Sequence, residues 1–229
     1  MKQKLLIFGS SGALGNGVTE VFLKKNYDEF YLFDFKHTEP SHKNINRIIV
    51  KDLSEEENVK IAFSKIIPSK DTAYFLFSTI GGFSGGKKVW ETLSGDFDRM
   101  ISMNLKTNFL IAKYFSLLVK GSHSGSICFT SAYTGLVEET GKAVYGSSKA
   151  ALIHLVKTLA DEGKVIKLSC NALAPFIIDT PSNREWMAKA DFKEWITPAE
   201  IGEFVESIFK NYNMLSGNIF QLKYRFDRD

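Results

Sequence analysis

Short apolar runs alternate with stretches of helical periodicity along nearly the whole chain, a pattern that calls for a sheet covered by helices on both faces. Leu5–Phe8 is the first run, and Ala13–Lys25 follows with Val18, Val21, Phe22 and Lys25 at helical spacings. Phe30–Phe33 gives a second strand ending at Asp34, and Ile48–Val50 a third. Ser54 is expected to cap the next helix, with Glu57 completing a capping box, and that helix runs to about Ile67. Ala73–Phe77 is continuously apolar, as suits a parallel strand buried on both sides. After a glycine-rich loop over 79–88, one long helix is expected from Gly95 to Lys120, carrying Phe97, Ile101, Leu105, Phe109 and Ala112 along one row. A strand at Ile127–Phe129, a helix at Ala143–Leu159, a strand at Val165–Leu173, a helix at Pro198–Phe209 and a strand at Asn218–Leu222 complete the series. Pro198 suits a first helical turn, where its missing N–H costs nothing. The series predicts an α/β fold, a doubly wound, mostly parallel seven-stranded sheet with helices on both faces. No repeat or linker divides it, and 229 residues suffice for one core, so a single domain over 1–229 is expected.

The first strand and helix are joined by Gly9-Ser10-Ser11-Gly12-Ala13-Leu14-Gly15. Gly9 permits a tight turn, Gly12 lets the helix amides approach a pyrophosphate, and Gly15 permits close packing of helix on sheet. Ser11, Ala13 and Leu14 of the same turn are assigned to the cofactor with them. Asp34, nineteen residues after Gly15, stands where a carboxylate accepts both ribose hydroxyls and repels a 2′-phosphate, which favours NAD over NADP. Lys36 and His37 weaken that preference without reversing it, so NADPH stays possible but less favoured. Asp52 either receives the adenine amino group or is a loop carboxylate near the next helix, and Leu53 is assigned to the cofactor beside it. Thr79, Gly81 and Gly82, past the fourth strand, belong to the same Rossmann-type cleft.

Tyr145 and Lys149 lie one helical turn apart in Tyr145-Gly146-Ser147-Ser148-Lys149, so phenol and ammonium share a face. A neighbouring cation favours the phenolate and should lower the phenol from its usual value near 10. With the dinucleotide unit, the pair implies an enzyme that moves a hydride and a proton.

Composition excludes several other classes. A net charge of +3, from 29 basic and 26 acidic side chains, gives little phosphate affinity. The basic cluster His37–Arg47 is interrupted by Glu39 and Pro40 and lacks interleaved aromatics, so nucleic-acid binding is not expected. No apolar run approaches the ~20 residues a membrane-spanning helix requires. Met1–Lys4 leads directly into a strand, leaving no room for a signal peptide, so a cytoplasmic setting is expected. Cys128 and Cys170 read as free buried thiols, and His37, His42, His123 and His154 are not spaced for a metal, so none is expected.

These residues resemble the short-chain dehydrogenase/reductase family: Tyr145-x-x-x-Lys149 matches its catalytic motif, Asn104 its helix-four asparagine, and Pro175 with Thr180 its segment over the nicotinamide. The variant Gly9-x-x-Gly12-Ala13-Leu14-Gly15 is similar to that of its dihydropteridine reductase group. So are Gly81-Gly82-Phe83-Ser84-Gly85-Gly86, Asp179-Thr180-Pro181-Ser182-Asn183-Arg184, and Met187–Phe192 with Trp195. The likeness extends over nearly the entire chain. The family's assisting serine would stand thirteen residues before Tyr145, where this chain has Ala132, as that group also does. Adjacent Ser131 points to the opposite face in a strand. Phe83 stands where the group commonly has tryptophan, so it can stack on a pterin but not donate an indole hydrogen bond. Asn104 is retained although the group tends to lack it.

The resemblance implies NADH-dependent reduction of a quinonoid dihydropteridine, dihydrobiopterin-like, to the tetrahydropteridine. In it Tyr145 donates the proton, directly or through water, or stabilises the developing charge, and Lys149 holds the nicotinamide ribose and biases Tyr145 toward proton transfer. Asn104 either holds a water or helix carbonyl linking Lys149 to solvent or is a satisfied core asparagine. Pro175, Ile178 and Thr180 are assigned to the cofactor, and Phe83, Ala132, Asn183 and Trp186 to the substrate. The segment over about 176–196 is either a lid or an ordinary surface helix. Excess apolar surface on the helices Gly95–Lys120 and Ala143–Leu159 suggests a partner, and the family implies a homodimer through them. The alternatives are a short-chain carbonyl or quinone reductase with another substrate, and a non-catalytic NAD(H) sensor.

Overall fold

The first apolar run extends N-terminally into β1 (Lys2–Phe8), around which the sheet is laid. A computed structural model of the chain describes residues 1–37 and 43–226, so Glu39, Pro40 and His42 lie outside the described residues. The other strands are β2 (Glu29–Asp34), β3 (Ile45–Ile49), β4 (Thr72–Ser78), β5 (Ser124–Thr130), β6 (Leu168–Pro175) and β7 (Ile219–Leu222). They form one seven-stranded sheet in the order β3-β2-β1-β4-β5-β6-β7. Every pairing is parallel. The chain therefore winds outward twice from β1, once through β2 and β3 and once through β4 to β7. The carboxyl ends of β1 and β4 flank the switch point, where such sheets bind ligands.

The helices are α1 (Ala13–Phe22), α2 (Glu56–Phe63), α3 (Ser94–Ile101), α4 (Thr107–Lys120), α5 (Ala143–Glu162), α6 (Pro181–Trp186) and α7 (Pro198–Lys210). Side chains alternate along β1 and so divide the core in two. Leu5 and Ile7 join Val18 and Phe22 of α1 and Val205 and Phe209 of α7. Leu6 and Phe8 join Phe63 of α2, Phe115 of α4 and Val156 of α5 on the other face. Phe8 stacks on Phe33 with ring centroids 4.2 Å apart. All seven residues of β4 are buried, as helices on both faces require.

Four local expectations are corrected. Ser54 does not cap α2: its amide donates to the Asp52 carboxylate at 2.8 Å, forming an Asx turn that defers the helix by a residue. Glu55 takes the N-cap without a side-chain bond, and the helix stops at Phe63 rather than near Ile67. Lys25 lies past the end of α1, which closes at Phe22.

The third correction concerns the long helix. It is interrupted between α3 and α4 by a π-helical turn at Ser102–Lys106. The wider turn shifts the buried row to Met100, Asn104, Asn108, Ile111 and Phe115. Phe97 and Phe109 of the expected row face outward. Fourth, Val165 and Ile166 are not strand but belong to a 3-10 turn, Gly163–Ile166, that continues α5. Lys167 then adopts a left-handed conformation (φ 58°) before β6 begins at Leu168. Pro198 does open α7, where Thr197 and Glu200 form a reciprocal capping box.

Candidate active site

At the carboxyl end of β1 the backbone turns at Gly9, whose φ of +80° few residues other than glycine adopt. The Gly9 amide donates to the Phe33 carbonyl at 2.8 Å. Thr79 Oγ1 lies 3.0 Å from both the Phe8 and Gly9 carbonyls and fixes the turn from the β4 side. A Cβ on Gly15 would overlap the Gly9 carbonyl oxygen, so α1 approaches the strand this closely only with glycine there. Gly12 forms the N-cap of α1 and leaves its first turn without an acidic side chain. Free helix amides, a close backbone and no competing carboxylate fit a dinucleotide pyrophosphate.

Asp34 ends β2 beside this turn. Its two oxygens accept the amides of Ser11 and Phe35, each at 2.7 Å. Each oxygen keeps a lone pair for a ribose hydroxyl. Ser11 also donates its hydroxyl to the Lys36 carbonyl at 3.0 Å, so it braces the turn against the end of β2. Asp52 stays exposed in the loop before α2, as one of its two expected readings has it, while the Leu53 side chain turns inward. The Ser54 hydrogen bonds hold the Asp52 carboxyl below its usual range, and the Leu53 side chain is buried in the core. Their contribution to a cofactor site is thus left to backbone and surface atoms.

The second half of the site comes from α5, the π turn and the loop after β4. Lys149 is buried, and burial pushes its ammonium down to about 8. Its Nζ donates to the Thr130 carbonyl at 2.8 Å. It stands 5.9 Å from the centroid of the Tyr145 ring, over the face. Tyr145 is not acidified in this arrangement. Burial, and behind it the negative charge of Glu139, push the phenol up to about 12. The difference from the sequence expectation is geometric: the ammonium is turned toward a carbonyl, and removal of water from the phenol dominates.

Asn104 sits fully buried in the π turn. Its amide grips Gly82 through both backbone groups, accepting from the Gly82 nitrogen at 2.8 Å and donating to its carbonyl at 3.0 Å. It also donates to Ser148 Oγ at 2.9 Å, and Ser148 in turn donates to the Tyr145 carbonyl at 2.7 Å. The Asn104 carbonyl accepts from Asn108 Nδ2 at 2.9 Å. The side chain thus fastens the loop to the base of α5. A Cβ on Gly81 would come within 2.8 Å of Asn104 Oδ1 and 2.9 Å of Lys149 Nζ, so the loop lies directly on this pair.

In front of them opens a cavity of 580 Å³. That is within the ~300–1,000 Å³ usual for small-molecule sites. Phe83, Ala132, Tyr145, Pro175, Ile178, Asn183 and Trp186, all assigned from sequence, line it together. Phe83 meets Tyr145 edge-on at 5.0 Å and Trp186 at 5.7 Å. Ser131 also lines it, but its hydroxyl donates to the Lys149 carbonyl at 3.0 Å. Thr180 caps α6, accepting from the Asn183 amide, while Asn183 Nδ2 donates to the Ile178 carbonyl at 2.8 Å. Arg184 binds Asp179 in bidentate fashion at 2.5 and 2.8 Å. Among the described residues no three His, Cys, Asp or Glu side chains are grouped to hold a metal ion.

Several participants escaped the sequence reading. Asn108 was legible, four residues beyond Asn104 on one helix. Ser148 stood inside the recognised motif. Glu139, Lys142 and Phe176 also line the cavity, and no spacing in the chain marks them.

Comparison with known proteins adds to this geometry. Residues 3–191 match the family model described as short chain dehydrogenase. A dihydropteridine reductase of Dictyostelium discoideum is 30% identical over 205 residues, covering 89% of this chain and 86% of that protein. A tropinone reductase homologue of Arabidopsis thaliana is 35% identical over 113 residues, which are 49% of this chain and 43% of that protein. Among solved structures, ElxO with NADP bound superimposes with a TM-score of 0.84, covering 97% of this chain and 98% of that one at 23% identity.

Proposed function

The chain belongs to the short-chain dehydrogenase family, and on that premise we propose that it is an NADH-dependent reductase of quinonoid dihydropteridines, yielding the tetrahydropteridine. One observation carries this reading: the cavity is walled by aromatic rings and has Tyr145 as its phenol, while the neighbouring Ser131 hydroxyl is tied to a backbone carbonyl. A flat heterocycle with its own polar edge suits such walls better than a simple alcohol or ketone, whose oxygen would be oriented by a hydroxyl where this chain has Ala132. The similarity to the Dictyostelium reductase over most of both chains supports the same substrate class.

The bound nicotinamide supplies the hydride. The chain supplies position and a proton. Gly9, Gly12 and the first turn of α1 hold the pyrophosphate, and Asp34 the adenosine ribose. Lys149 holds the nicotinamide ribose, at the end of the cleft where Gly81 leaves room for it. Tyr145 remains protonated across the physiological range and donates to the reduced pterin, directly or through water. Phe83 and Trp186 stack on the ring and keep water from it. Residues 176–196 form the cover, with Asp179 and Arg184 bracing its hinge. The proposal extends to NADH over NADPH, from Asp34, and to a cytoplasmic homodimer joined through the α3–α4 stretch and α5.

The test is initial rates on quinonoid dihydrobiopterin with NADH and with NADPH, beside a panel of ketones and quinones. NADH with the pterin is expected to be the fastest pair. Tyr145→Phe should bind NADH like the parent and lose turnover by about 10²–10⁴-fold. Faster reduction of a ketone or quinone would favour the other short-chain reductase reading, and NADH binding without any turnover the sensor reading.

A further inference from the structure

Glu139 is the sole carboxylate among the described residues that line the cavity, which otherwise presents rings, aliphatic groups and neutral polar side chains apart from Lys142. A half-buried carboxylate in an apolar-walled site is costly unless something binds it. Lys142 does so, pairing with Glu139 Oε2. That contact leaves Oε1 and the second lone pair of Oε2 unused.

The Glu139 loop is held in place. The Lys142 amide donates to the Glu139 carbonyl at 3.2 Å, and the Gly146 amide to the Lys142 carbonyl at 2.8 Å, which fastens the loop to the start of α5. The Gly86 amide donates to the Gly141 carbonyl at 2.8 Å. That bond stitches the Glu139 loop to the loop bearing Phe83. Carboxylate, stacking ring and phenol thus stand on three segments in mutual contact, and the charge of Glu139 is felt at Tyr145.

Resting on the pterin reading above, we propose that Glu139 selects the substrate by accepting the paired N–H donors of its aminopyrimidinone edge. The ring N3–H and the exocyclic 2-amino group lie side by side, as the donors of a guanidinium do, and match the two oxygens of a carboxylate. Asn183 presents one acceptor oxygen at most, and Lys142 none. Quinones and simple ketones lack this donor pair, so Glu139 separates them from a pterin where the aromatic walls alone would not.

Fully oxidised pterin and lumazine, in which a carbonyl replaces the 2-amino group, provide the test because neither needs to react. Their dissociation constants are measured with NAD present, by quenching of tryptophan fluorescence, for the parent and for Glu139→Gln. The parent should prefer pterin by about tenfold or more, and the isosteric amide should lose that preference with lumazine little changed. An unaltered preference in Glu139→Gln, or equal weakening of both ligands, would overturn the assignment. Turnover of quinonoid dihydropterin by the parent is scored separately. Turnover with an unaltered preference removes the role of Glu139 alone, whereas a collapsed preference without turnover removes the reductase reading alone.

Discussion

Lys149 is a cation kept where cations are least stable, and its proton is correspondingly loose. With burial holding it down to about 8, the folded chain releases that proton before the unfolded chain does. Between pH 8 and the free lysine value near 10.4 the unfolded state binds more protons. The penalty for burying the ammonium is therefore full below pH 8 and is relieved as pH rises through that window. Activity should run the opposite way, because holding the ribose needs the charged form. In a pH–rate profile, kcat/KM for NADH is expected to fall above pH 8, far below the value near 12 at which Tyr145 ionises. Lys149→Arg, which stays charged, should move that limb upward, and an unmoved limb would remove Lys149 as its origin.

The π turn between α3 and α4 is the element on which the catalytic cleft is hung. Its extra residue rotates Asn104 into the interior, where one amide group serves Gly82 and Ser148 together. π turns recur at functional sites because they break the register that would otherwise point such a residue elsewhere. Asn104→Ala leaves these partners without their side-chain bonds, a loss of about 1–3 kcal/mol. For a domain of this size each kcal/mol lowers Tm by about 2–4 °C. Thermal unfolding should show that drop, and NADH should bind more weakly because Gly81 and Gly82 are no longer fixed over Lys149. Unchanged NADH affinity would mean that the loop holds itself.

At the scale of the whole molecule, α3 and α4 each present apolar side chains that the fold does not cover. Phe97 and Phe109 are about half exposed, as is Leu117. A second copy of the chain is the proposed cover. Sedimentation of Phe109→Glu should give a monomer where the parent gives a dimer, since a carboxylate cannot be desolvated there without a partner. A monomeric parent would end the proposal. Phe97 and Phe109 entered the sequence reading as part of one row along a long helix, and it took the π turn to show that these two rings face outward.

The amino-acid sequence by itself determined the parallel sheet, the order of its elements and the two halves of the cleft. Each of those depends on local patterning: continuous apolar runs for β4 and β5, glycines at the turn after β1, one helical turn from Tyr145 to Lys149. Local chemistry misled where a neighbour intervened, as when Asp52 captured the amide of Ser54 and displaced the expected cap. Tertiary structure alone decided which way the Lys149 ammonium turns, what Asn104 grips and which charge faces Tyr145. Those outcomes depend on desolvation and on groups far apart in the chain. Glu139 reaches the cavity through a loop held by a backbone bond from Gly86, and nothing in the spacing of residues encodes such a contact.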